Sequence, residues 1–71
     1  MLLVDGELQQ EYEISEINTE DEELNSFLFT LGCYPQERIT IISKNSSGFV
    51  VAIKDGRYSI DSELAQVITV K

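Results

Sequence analysis

Cys33 is the only thiol in the sequence, and there is no histidine. A Cys–His or Ser–His pair cannot be built, so nucleophilic catalysis lacks its base. Cys33 has apolar neighbours and no cation nearby in sequence to hold a thiolate. It reads as a small core or loop hydrophobe. The run Glu20-Asp21-Glu22-Glu23 and the pair Asp61 and Glu63 offer carboxylates. Hard cations bind such oxygens, and Asp21, Glu22, Asp61 and Glu63 would do so weakly. Soft and borderline metals want imidazole and thiolate, and one thiolate makes no tight transition-metal site. Gly48 and Gly56 lie in separate turns, and no Gly-rich loop precedes a helix, so a phosphate cradle is also missing. Surface recognition is what remains. Phe29 and Tyr34 are the aromatics least needed by the apolar pattern, and aromatic anchors carry much of the energy of interfaces. With neighbouring Leu31 they form the candidate partner-binding set. The bland alternative packs Phe29 under the 44–48 loop and lays Tyr34 over one end of the fold, since single exposed apolar residues are common.

A chain of 71 residues makes one domain, 1–71. It buries only about 60% of the surface its unfolded form exposes. Its stability is expected on the order of 4–10 kcal/mol. The net charge of −8, from 13 acidic and 5 basic residues, argues against nucleic acid. It also disfavours an anionic membrane surface. A basic partner or a cation fits the sign, and so does plain solubility. No apolar run approaches the ~18 residues of a membrane span. Met1-Leu2-Leu3-Val4 runs into Asp5 without a basic stretch, so it is not read as a signal peptide. A cytoplasmic location is the default expectation. Nothing in the pattern fixes an oligomeric state.

The elements that must position these residues follow from periodicity. Residues 11–17 alternate, with Tyr12 and Ile14 on one face and Glu11, Glu13 and Ser15 on the other, which predicts a half-buried strand. Thr19 followed three residues later by Glu22 predicts a capping box, and the acidic run suits the positive end of a helix dipole. Leu24, Phe27, Leu28 and Leu31 fall on one helical face. Phe29 sits roughly 140° from Leu24, toward solvent. Gly32 is the expected left-handed stop, and Pro35 keeps the helix from resuming. The period then switches to that of strands. Residues 38–43 are β-branched, 45–48 have turn composition, and 49–53 are apolar enough to be covered on both faces. Asp55-Gly56 predicts a two-residue hairpin turn with both residues at positive φ, and 57–60 return. Residues 61–66 read as a capped 3₁₀ turn, and 67–70 as a last strand.

Connections this short cannot make parallel βαβ units. The expectation is an all-β, antiparallel small barrel of about five strands, with one short helix after the first strand. Leu24, Phe27, Leu28 and Leu31 would plug its open end.

With these elements placed, the chain resembles the FeoA family of small ferrous iron transport proteins, whose domain also ends some iron- and manganese-responsive repressors. The resemblance covers roughly residues 11–70. It rests on Leu28-Phe29-Thr30-Leu31-Gly32-Cys33-Tyr34-Pro35, on Arg38-Ile39-Thr40-Ile41-Ile42, on the hairpin Phe49–Ile53 with Gly56–Ile60, and on Leu64-Ala65 with Ile68-Thr69-Val70. Three departures stand out. Gln36 replaces the family's glycine after the proline. Glu22, Glu23 and Asn25 stand where basic residues often precede the leucines. Gly6 lies too far from Ile14 to be the glycine usual early in the first strand. The resemblance implies an SH3-like barrel and a non-catalytic adaptor of bacterial ferrous iron uptake, in contact with the FeoB-type membrane transporter. It implies equally the alternative of a metal-sensing module, like the barrel of metal-responsive repressors. No catalytic residues and no resident cofactor are expected, and weak Fe(II) or other divalent-metal binding is the most the donors allow. The reversed helix charge leaves open a differently charged partner or a divergent role.

Overall fold

The computed structural model describes residues 1–71 throughout. Strand β1 (Glu11–Ile17) leads into helix α1 (Glu22–Thr30), followed by β2 (Arg38–Asn45), β3 (Gly48–Ile53), β4 (Gly56–Ile60), helix α2 (Ser62–Val67) and β5 (Ile68–Val70). All neighbours are antiparallel, in the order β4-β3-β2-β1-β5. β1 serves two partners. Glu11–Glu13 pair with β2, and Ile14–Ile17 pair with β5. The register shifts between Ile14 and Glu16, and again in β2 between Ile41 and Ser43. Such shifts bend a strand and raise its twist. The bends wrap the sheet round one core in an SH3-like manner. The sheet does not close, however, because its outermost strands β4 and β5 do not pair. α2 packs against β3, β5 and a 3₁₀ turn at Leu3–Asp5.

The core draws Ile14, Ile39, Ile41, Val51, Ile53, Ile60, Ile68 and Val70 from the sheet and Leu28 from α1. β3 alternates rather than being covered on both faces. Phe49, Val51 and Ile53 are buried, while Val50 and Ala52 are half-exposed. A five-stranded sheet bent round one core has a single inner face. Leu3, which no periodicity marks, is wholly buried. Leu2 bridges Thr69, and Leu8 bridges Ile41. These apolar residues find their places by long-range pairing.

Helix α1 starts later than the capping-box spacing implies. Asp21 is the cap, its carboxylate accepting from the amides of Glu23 at 3.0 Å and Leu24 at 3.2 Å. The Thr19 hydroxyl instead accepts from the Asp21 amide at 3.1 Å. The helix also plugs the fold less than its stripe suggests. Leu28 is wholly buried, Leu24 and Leu31 are half-buried, and Phe27 is 47% exposed. Phe27 lies about 100° round the helix from Leu28. The helix skirts the opening, so one residue points straight in and the edges of the stripe stay outside.

The hairpin differs by one residue. Ile53 pairs with Gly56, so the loop is Lys54-Asp55, with Lys54 at φ 54° and Gly56 already in the return strand. Residues 62–67 form α-helix rather than a 3₁₀ turn. The Ala65 amide reaches the Asp61 carbonyl four residues back at 3.1 Å, and the Asp61 carboxylate caps Leu64 at 2.9 Å.

Gln36 sits at φ 79°, in the left-handed region. Its amide donates to the Ile14 carbonyl at 2.8 Å, and the Ile14 amide donates to Glu37 at 2.8 Å. The β1 pairing therefore holds the backbone in a shape that favours glycine. Gln36→Gly removes a left-handed penalty of about 1–2 kcal/mol and gives part of it back through unfolded-chain entropy. The expected result is a higher urea midpoint, worth about 1 kcal/mol. An unchanged or lower midpoint would refute the strain.

Candidate functional site

The junction after α1 is built by the helix stop. Gly32, at φ 90°, lets the chain reverse. Its amide donates to the Phe29 carbonyl at 3.0 Å, and the Cys33 amide donates to the Leu28 carbonyl at 2.9 Å. This pair of bonds is the Schellman arrangement, in which the residue after the glycine packs back on the last turn. Cys33 does so and is 2% exposed. Tyr34 is thereby turned outward beside Phe29.

Phe29 is 65% exposed. Its ring stacks on Tyr34 with centroids 5.1 Å apart and planes inclined at 38°. The Lys54 ammonium stands 4.9 Å from the Tyr34 ring centroid and donates to the Tyr34 hydroxyl. Glu37 lies 3.6 Å from the same ammonium. The hydrogen bond to Tyr34, with Glu37 beside it, holds the Lys54 ammonium above its ordinary pKa against a smaller desolvation effect. Phe29, Leu31 and Tyr34, singled out from the sequence, line one shallow cleft of about 580 Å³. Ile53, Lys54, Asp55, Gly56 and Tyr58 form its other wall. Phe29 does not lie under the 44–48 loop, where the Lys44 ammonium instead stands 5.7 Å from the Phe49 ring.

Lys54 and Tyr58 were not marked by the sequence. They stand more than twenty residues from Phe29, and only the register of β3 with β4 carries the hairpin to the helix stop. The hairpin signal at Asp55-Gly56 is the one sequence cue that points to this wall.

Burial pushes the Cys33 thiol up to about 12, so it is neutral at physiological pH. The Asp21 and Asp61 carboxylates each spend an oxygen on a helix cap. No three Cys, Asp or Glu side chains converge into a metal-holding group. No helix is long and apolar enough to cross a membrane.

Comparison with known proteins gives a consistent family and fold. The model of the FeoA domain family matches residues 1–71. An iron uptake regulatory protein, FeoA, superposes with a TM-score of 0.86 at 17% identity, over 100% of this chain and 93% of its own. The zinc complex of Stenotrophomonas maltophilia FeoA, described as a prokaryotic SH3 domain protein, superposes at 0.85 with 17% identity, over 100% of this chain and 89% of its own. A manganese-dependent transcriptional repressor superposes at 0.90 with 18% identity, over 99% of this chain but only 40% of the repressor. Among curated proteins, none matches in sequence.

Proposed function

The chain belongs to the FeoA domain family, and from that premise we propose that it is a non-catalytic accessory protein of bacterial ferrous iron uptake. It works on the cytoplasmic side, by docking on the FeoB-type membrane transporter. The observation that carries this reading is the edge where exposed Phe29 stacks on half-buried Tyr34 beside half-buried Leu31, with Lys54 bracing Tyr34. Rings held by a helix stop and an ammonium lose little freedom on binding, which is what makes an aromatic anchor effective.

The test is co-purification with a FeoB-type transporter from the same cell. The native chain is expected to bind, and Phe29→Ala and Tyr34→Ala are each expected to weaken binding tenfold or more. The reading is lost if the native chain does not bind, or if both variants leave association and iron uptake unchanged. The repressor-type metal sensor remains the second reading, because 40% of a manganese-dependent transcriptional repressor superposes on this fold. Saturable micromolar binding of Fe(II), Mn(II) or Zn(II) would favour it, while shifts only at millimolar metal would remove it.

A further inference from the structure

Seven of the nine residues of α1 are exposed, and only Leu28 is fully buried. A helix of this length does not hold by itself in water, since isolated helices below about 12 residues are marginal. Yet its outer side carries two of the chain's three phenylalanines, Phe27 and Phe29, 47% and 65% exposed. Two shallow depressions run along this side and share the line Glu22, Ser26 and Thr30 as their floor. Phe29 walls one, and Phe27 walls the other. The Thr30 hydroxyl is turned back to the Phe27 carbonyl at 2.6 Å, so it makes no demand on an incoming apolar group. Ser26 and Thr30, small and four apart between the two bulky rings, form the kind of groove into which another helix sets its ridge.

Charge selects the occupant. Residues 1–37 contain ten of the 13 acidic residues and no lysine or arginine. The ion pairs of the fold, Arg38–Glu11, Lys54–Glu37 and Lys71–Glu13, all leave α1 untouched. Glu20, Glu22 and Glu23 are exposed and have no basic partner within the chain. An acidic or phosphate-bearing occupant would bring like charges together at the groove's end.

We infer that the outer face of α1 is a docking groove for an amphipathic helix of the partner that carries Lys or Arg beside its apolar seam. Phe27 and Phe29 clasp the seam, and Glu22 and Glu23 meet the cations, in the helix-in-groove mode. The inference rests on the transporter-docking reading above and adds to it the chemistry of the contacting segment.

The test measures affinity of the full chain for the detergent-solubilised FeoB-type transporter, at low and high salt. Glu22→Gln with Glu23→Gln is expected to weaken binding about tenfold at 50 mM salt, with the gap narrowing at 500 mM. Phe27→Ala is expected to weaken it about tenfold at both. Glu7→Gln with Glu63→Gln removes the same charge from elsewhere on the surface and touches a helix first turn in the same way. It is expected to stay within threefold of native. A native chain that binds while the Glu22/Glu23 variant matches this control, or while Phe27→Ala binds as native, overturns the groove and leaves docking intact. A native chain that does not bind overturns both. Urea curves for each variant separate lost contact from lost folding.

Discussion

Leu28→Ala is expected to cost about 3–5 kcal/mol and to release α1 from the sheet. Large-to-small changes at wholly buried leucines fall in that range, because a cavity is left as well as lost transfer energy. Leu28 is fully buried and is the only fully buried residue of α1. Its carbonyl also accepts from Cys33 at 2.9 Å, at the helix stop that aims Tyr34. Against a total on the order of 4–10 kcal/mol for a chain of this length, the loss leaves little margin. Phe27→Ala is the control on the same helix. Half-exposed as it is, Phe27 should cost about 1 kcal/mol or less. Urea unfolding of the two variants, with amide exchange along residues 22–33, reads both effects. Equal costs for the two residues would mean that the helix does not seat through Leu28. Since α1 carries both the aromatic edge and the outer groove, the Leu28 variant should also lose partner binding, without Leu28 touching a partner.

The same helix shows what periodicity carries and where it stops. The stripe Leu24, Leu28 and Leu31 was legible because an inward face repeats at helical spacing. The place of Phe27 was not, because it depends on how the helix lies across the opening. The cap went to Asp21 because two competent side chains stand two residues apart, and spacing alone does not choose between them. The hairpin was legible from Asp55-Gly56. Its exact register was not, since Lys54 accepts φ 54° and so releases Gly56 to pair. Of the site, Phe29 and Tyr34 stood out because they fall off the apolar stripe, and Leu31 came with them as a neighbour. Lys54 and Tyr58 come from the far hairpin, and in the core Leu3 comes from an isolated position. Contacts over such separations have no local period to read. Gln36 shows the converse: a departure from the family's glycine is visible in the sequence, and its physical meaning emerges only with its φ of 79°.

The other severe effect is expected at Gly48. An alanine Cβ there would stand 2.3 Å from the Ile60 carbonyl oxygen and 2.9 Å from the Asp61 Cα. Both are backbone atoms, so no rotamer change relieves the clash. Gly48 also sits at φ 148°, a conformation that L residues rarely adopt. Its amide donates to the Asn45 side chain at 3.0 Å, and Asn45 pairs with it across the turn between β2 and β3. The turn is therefore held from one side while Ile60 and Asp61 press from the other. Relief requires moving the end of β4, where Ile60 pairs with Phe49, and with it Asp61, the cap of α2. Unfavourable φ and overpacking each cost about 1–3 kcal/mol, so Gly48→Ala should lose about 2–6 kcal/mol. Gly32→Ala provides the comparison. Its φ of 90° is also unfavourable, but the nearest atom, the Ile53 Cγ2, is 3.3 Å away on a side chain. That variant should lose only about 1–2 kcal/mol. Urea midpoints that rank Gly48→Ala clearly below Gly32→Ala would locate the cost in the backbone contact rather than in φ. Equal midpoints would show that the approach of β3 to the β4–α2 corner is looser than 2.3 Å implies.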